Sequence, residues 1–314
     1  MLTHLIILLD DTSVSYCHYN VPQAEHKLIK LDDLKAGIVW GMKENVNIQF
    51  IYPNYELPAE YNDVIESIDH TKIKPVEQAI DADVVVMTGW ETSVLDVYED
   101  ATIIIRATRK ELSAYLTKVN ELLKKATRLN VVVTDVENFT DADIDAYKLL
   151  LEELSVLVDE QLKSGRTIQL NLLTDRLMLD EMNNCNAGVN NITLAPNGRF
   201  YLCPAFYYDE PKACMGDMQR GLHINNQQLL QLDHAPICRH CDAWQCRRCV
   251  WLNERLTLDR NTPSHQQCVM AHLERNASRD LLVRWEQEGF PFGSTHRIEE
   301  ITELDPFNTY KQWK

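Results

Sequence analysis

Short apolar runs alternate with amphipathic stretches over the first 175 residues, and this alternation limits the fold more than any other feature. The runs are HLIILLD (4–10), VNIQFIYP (46–53), ADVVVMTG (82–89), ATIIIRA (101–107), LNVVVTD (129–135) and IQLNLL (168–173). Their Val, Ile and Leu content predicts strands buried on both faces, as in a parallel sheet. Between them lie helical stretches at 31–45, 111–126 and 141–165. The last starts after Thr140, an N-cap followed by acids, and stops at Gly165. Repeated β–α units predict an α/β domain over residues 1–180, either a parallel β/α sheet or a partial barrel.

Near residue 180 the character changes. LDEMNNCNAGVNN is polar and rich in turn formers, and NITLAPNGRFYLC reads as a hairpin around Asn197-Gly198. A helical stretch, MAHLERNASRDLLVRWEQEG, follows Cys268, and a polar tail ends the chain. Residues 181–314 are thus expected to form a small cysteine-rich metal domain with a C-terminal helix.

The charge is uneven. Residues 1–180 hold 31 acidic and 17 basic side chains, and the remainder hold 16 and 14. A chain of net charge −16 repels phosphate backbones, so nucleic acid is excluded as a partner. No apolar run approaches membrane-spanning length, and the opening LIILL is too short for a signal-peptide core. The expected location is therefore the cytoplasm, with no membrane partner. Nine cysteines in a reducing compartment point to metal ligation rather than disulfides.

Four of those cysteines fall within CRHCDAWQCRRC, residues 238–249. Cys185 precedes Gly198 by twelve intervening residues, and Gly198 precedes Cys203 by four. Cys268 follows Cys249 after eighteen. Cys17 and Cys214 stand outside this frame. Seven thiols in one ordered frame point to metal, with iron–sulfur clusters and zinc both open at this point. A second closed zinc site needs a histidine, for which His234, His240 and His265 are candidates. Arg239, Arg247 and Arg248 either offset the charge of a thiolate-bound group or line an exposed loop. Tyr207, Tyr208, Trp244 and Trp251 are expected to shield metal or pack core.

The ordered frame resembles the SPASM domain, a C-terminal extension of radical-SAM enzymes that modify peptides. Met215-Gly216-Asp217 resembles a short element of that domain. The quartet departs from it, with both later spacers one residue shorter. By position, the resemblance implies that Cys238, Cys241, Cys246 and Cys268 hold one 4Fe–4S cluster, with Cys185, Cys203 and Cys249 giving three ligands to a second. Radical-SAM enzymes carry Cys-x3-Cys-x2-Cys after the first strand. Here Ser13, Cys17 and Asn20 occupy that spacing, so the resemblance implies a degenerate radical-SAM-like α/β region that does not cleave S-adenosylmethionine on its own. Cys17 is expected to be a buried small hydrophobe.

Over its full length the chain also resembles the CXXX repeat peptide maturases, on LIILLDDTSVSYCHY, LDDLKAGI, ESIDHTKIKP and the cysteine-rich end. That likeness implies maturation of a ribosomally made, Cys-rich CXXX-repeat precursor peptide, with a radical-SAM enzyme as partner. A non-catalytic peptide-binding scaffold and a zinc-stapled adaptor are the other readings.

Two further features carry less chemistry. Asp10 and Asp11 end the first strand and are expected to cap the following turn rather than bind a cation or amine. His70, within IDHTKIKP, is expected to be an ordinary histidine in a polar loop.

Overall fold

The computed structural model describes residues 1–22, 25–90, 102–290 and 298. The chain forms two interleaved compact units, residues 1–89 with 186–231, and residues 90–185 with 232–314. The compositional division at residue 180 cuts across both.

In the first unit, strand β1 (His4–Leu8) pairs in parallel with β2 (Asn47–Ile51), from His4 opposite Asn47 to Leu8 opposite Ile51. Parallel pairing continues through β3 (Thr71–Pro75) to β4 (Val84–Met87). On its other side β1 pairs in parallel with β8 (Asn191–Leu194), which turns back antiparallel into β9 (Phe200–Tyr201). Helix α1 (Leu31–Lys43) links β1 to β2, and α2 (Ala59–Ile65) links β2 to β3. Leu5, Ile7, Leu34, Ile38, Phe50 and Leu194 form the core of this unit. Helix and sheet approach so closely that a Cβ on Gly37 would lie 2.4 Å from Leu194 Cδ2. A larger residue there would have to displace the Leu194 side chain.

Strand β3 corrects the expected polar loop at 68–75. Its single large apolar residue, Ile73, is 5% exposed on one face, while Lys72 and Lys74 alternate onto the other. Those lysines are occupied: Lys72 pairs with Glu66 at 2.6 Å, and Lys74 lies over the Tyr52 ring at 4.8 Å. Their charge hid a strand whose polar face is held locally. His70 packs edge-on against Phe50, consistent with a structural role.

The hairpin formed as expected, with Gly198 at φ +75° in its turn. The element at Met215 is a second, small hairpin of β10 (Gly216–Asp217) and β11 (Gly221–Leu222). Helix α7 (Pro204–Asp209) lies between the two hairpins in the chain.

In the second unit β5 (Thr102–Ala107), β6 (Arg128–Val133) and β7 (Gln169–Leu170) pair in parallel. Residue 101 of the first expected strand here, and the polar tail save residues 290 and 298, lie outside the described residues. The helical stretch at 111–126 divides at Tyr115 into α3 (Arg109–Ala114) and α4 (Leu116–Lys125). Strand β7 is shorter than expected because Thr174 Oγ1 bonds the amide and carbonyl of Leu170 and turns the chain. A four-residue helix, α6 (Asp175–Met178), follows.

Helix α5 (Asp141–Lys163) has the expected start. Thr140 and Asp143 form a reciprocal capping box, and Gly165 at φ +87° follows its end. It packs on α9 (His265–Gln287): Tyr147 hydroxyl donates to Glu274 at 2.7 Å, and Trp285 Nε1 to Asp159 at 2.9 Å. Helix α9 begins three residues before Cys268, capped by Ser264 and Gln267, so Cys268 is helical rather than a loop residue. Helix α8 (Val250–Thr257) precedes it. Among the described residues no helix is long and apolar enough to cross a membrane.

Candidate metal centre

The quartet loop is held to the second unit by buried polar contacts at nearly every turn. Arg275, on α9, donates to Asp242 Oδ2 at 2.8 Å, and Arg176, on α6, donates to the Asp242 carbonyl. Gln245 Nε2 donates to the Ala271 carbonyl at 2.6 Å and to Glu274 at 3.3 Å. The amides of Asn183 and Cys185 donate to the carbonyls of Trp244 and Arg247. Arg248 takes φ +36° and bonds Asn184 and Asn261 through its guanidinium. A loop so tied keeps its thiols in place without forming regular structure.

Cys238, Cys241, Cys246 and Cys268 line one pocket, together with Arg248 and His272. Three are supplied by the loop and the fourth by the first turns of α9. Burial pushes the Cys238 thiol up to about 11, and a charge on Cys241 adds to the shift. Burial, then Cys238 and Cys241, push Cys268 up to about 12. Cys246 is raised too, again chiefly by burial. Buried thiols that repel one another as anions stay protonated until a cation stabilises them. The Arg248 guanidinium lies within reach of Cys238, Cys185 and Cys246, and its own burial lowers its pKa.

A tetrahedral zinc with Zn–S of ~2.3 Å places its sulfurs about 3.8 Å apart. Among the described residues, Cys241, Asp242 and His272 are the one group of three donors whose ligand atoms all lie within 4.8 Å of one another. That trio includes one sulfur of the pocket, Cys241; four thiols lining one pocket suit a closed zinc site or an iron–sulfur cluster.

The remaining three cysteines of the frame divide between the units. Cys185 and Cys249 are neighbours in the second: burial pushes Cys249 up to about 12, and Cys185 is the next largest cause. Cys249 also precedes α8 as its N-cap. Cys203 lies in the first unit, as the residue preceding α7. His234, His240 and His265 are exposed, and none lines the thiol pocket. His272, which does line it, was not among the expected ligands. Its signal is Cys268-x3-His272, which shares a helix face only once Cys268 is known to be helical. Arg239 and Arg247 are exposed, whereas Arg248 is buried. Trp251 is buried under Arg255, whose guanidinium lies 5.3 Å from the ring.

The end of β1 is built differently. Ser13 is fully buried; its hydroxyl donates to the Ile51 carbonyl and accepts from the Asp10 amide. Asp10 accepts from the Thr12 amide and hydroxyl, the turn-capping role expected of it, and from the Tyr55 hydroxyl. Asp11 accepts from Tyr207, while Tyr208 stacks on Tyr19 at 5.5 Å. Tyr207 and Tyr208 thus pack this strand end. Cys17 is half-buried rather than buried, because it lies in a bend and not on the strand. The Ser13 hydroxyl serves the backbone and is not presented as a ligand.

No protein-family model matches the sequence, and no curated protein matches it. Solved structures do. Hexahistidine-tagged anSMEcpe with bound AdoMet aligns over 92% of this chain and 100% of its own, at 12% identity and a TM-score of 0.60. Native anSMEcpe with bound AdoMet and Cp18Cys peptide aligns over 91% and 99%, at 12% identity and a TM-score of 0.59. The chain has a radical-SAM-like α/β fold.

Proposed function

We propose that this chain serves the modification of a ribosomally made, Cys-rich CXXX-repeat peptide, and that its quartet loop holds iron and sulfide for that purpose. The observation that carries the metal assignment is the pocket lined by Cys238, Cys241, Cys246 and Cys268. These four would hold one 4Fe–4S cluster. Within the second unit, Cys185 and Cys249 would give ligands to a second. Bound there, the clusters would supply electron transfer or thiolate-binding chemistry. The chain's own residues hold the loop through Asp242 and Gln245 and place the Arg248 cation among sulfurs that would become anionic.

The peptide assignment is supported by the fold shared with a protein solved with a peptide bound. The serine at position 13, with its hydroxyl engaged by backbone, favours a chain that works beside a radical-SAM enzyme rather than cleaving S-adenosylmethionine itself. A peptide-binding scaffold without turnover has the same support from fold, and turnover separates the two.

The test is iron and acid-labile sulfide per chain after anaerobic reconstitution. About eight irons with matching sulfide are expected, and C238A and C249A should each lose about half, from different clusters. Zinc without sulfide would overturn the iron assignment. A synthetic CXXX-repeat peptide should bind the reconstituted chain, and its modification should require the radical-SAM partner. Absence of binding would remove the peptide reading.

A further inference from the structure

Within the same loop lies a second, tighter donor set. Cys241 Sγ and His272 Nε2 are 3.8 Å apart, and His272 Nε2 and Asp242 Oδ1 are also 3.8 Å apart. A tetrahedral ion with Zn–S of ~2.3 Å and Zn–N or Zn–O of ~2.0–2.2 Å needs edges of about 3.6 Å and about 3.4 Å. These two edges require closure by a few tenths of an ångström, and the third, Cys241 Sγ to the Asp242 carboxylate, lies within 4.8 Å.

Both outer ligands are already oriented. His272 Nδ1 lies 2.8 Å from the Cys268 carbonyl. A carbonyl only accepts, so Nδ1 carries the ring hydrogen, and in the neutral ring the lone pair is on Nε2, facing Cys241. Asp242 gives Oδ2 to the buried Arg275 and turns Oδ1 toward His272. A histidine fixed by a carbonyl and a carboxylate fixed by a cation are the outer supports that metal ligands of these types ordinarily have. Asp242 and His272 are buried, while Cys241 is half-exposed and lines the pocket, which gives an ion a way in.

We infer that Cys241, Asp242 and His272 form a mononuclear site for a zinc-like divalent cation, with water as the fourth ligand. On binding, the Cys241 thiol releases its proton and the sulfur–metal bond forms; nothing is oxidised or reduced. This inference rests on the reading of the quartet loop as metal-binding, and Cys241 is shared. Zinc here and a cluster on Cys238, Cys241, Cys246 and Cys268 therefore exclude each other.

The experiment titrates reduced, metal-free protein with zinc chloride against a chromophoric chelator and records zinc X-ray absorption on the product. One zinc is expected with a single sulfur at ~2.3 Å and nitrogen or oxygen at ~2.0–2.2 Å. H272N keeps a side-chain donor for the Cys268 carbonyl and removes Nε2. It should weaken zinc on the order of 100-fold, at or beyond the loss seen when only an outer support is removed. C246S touches the quartet alone and should leave zinc affinity unchanged. A shell of four sulfurs, undiminished binding in H272N, or lost binding in C246S would each overturn the inference. Iron and sulfide reconstitution of the same wild-type preparation keeps the two readings apart. Full sulfide with a four-sulfur zinc shell sinks this site and leaves the cluster. A one-sulfur zinc shell with no sulfide sinks the cluster and leaves this site.

Discussion

Replacing Arg275 by methionine should be among the most damaging single changes in the second unit. Arg275 and Asp242 are each 2% exposed, and their charged atoms lie 2.8 Å apart. At that distance, with an effective dielectric constant near 20, the attraction is on the order of 6 kcal/mol. Methionine retains much of the apolar stem but leaves the carboxylate buried without its cation, which typically costs about 3–5 kcal/mol. The Arg176 bond to the Asp242 carbonyl leaves the carboxylate itself uncompensated. D242N removes the stranded charge, so R275M/D242N should recover more than about 2 kcal/mol of the loss. The assay is urea unfolding of reduced, metal-free protein followed by tryptophan fluorescence. Trp285, 1% exposed on the same helix as Arg275, reports the unit concerned. A single-mutant cost below about 1 kcal/mol would mean that the pair is solvated, as exposed pairs are. A double mutant no better than R275M would mean that packing rather than charge sets the cost. Either result refutes the reasoning.

Three other outcomes follow from particular contacts. Asp143, bonded by Thr140 and Arg109, has its carboxyl lowered to about 2, so the stability that it contributes is complete above its ordinary value and is lost as pH falls through about 2. Urea midpoints at pH 6, 3 and 2 should therefore separate wild type from D143N at the first and converge at the last. G216A places a Cβ 2.0 Å from the Gly221 carbonyl oxygen at φ +126°, whereas G221A meets no atom within 4 Å at φ +79°. The first should cost more than about 2 kcal/mol and the second about 1 kcal/mol, measured by the same unfolding. S13C/N20C completes the Cys-x3-Cys-x2-Cys spacing but removes a hydroxyl that holds Asp10 to Ile51. It should lose about 1–3 kcal/mol and bind no additional iron on reconstitution.

What the chain discloses in advance depends on whether the local signal agrees with the packing. β1, β2, β4, β5 and β6 were legible because both faces are buried and the apolar runs are continuous. β3 was not, because Lys72 and Lys74 carry charge into an interior strand and are held there by Glu66 and the Tyr52 ring. α5 was legible to within a residue or two from Thr140 and Gly165, which cap it in the ways their chemistry favours. The grouping into two interleaved units was not, since it depends on β8 pairing with a strand nearly two hundred residues earlier. The resemblance grouped Cys238, Cys241, Cys246 and Cys268, and these four line one pocket. His272 needed helix phase, and Asp242 needed the knowledge that its charge is matched by Arg275, a residue thirty-three positions away.

The two donor sets in one loop differ in what must happen before metal enters. The quartet must ionise three thiols that burial raises, Cys238 to about 11, Cys268 to about 12, and Cys246 as well. The trio needs one thiolate, from the half-exposed Cys241, and two ligands already oriented by Cys268 and Arg275. A chain that meets free zinc before iron and sulfide should therefore fill the trio first, because fewer protons must leave and less rearrangement is required. Cluster assembly then has to displace zinc from Cys241. Excess zinc added before reconstitution should lower sulfide uptake by about half in the wild type, since the set containing Cys185 and Cys249 does not share that sulfur. H272N should restore it. Equal sulfide uptake with and without zinc would show that the two sets do not compete for Cys241.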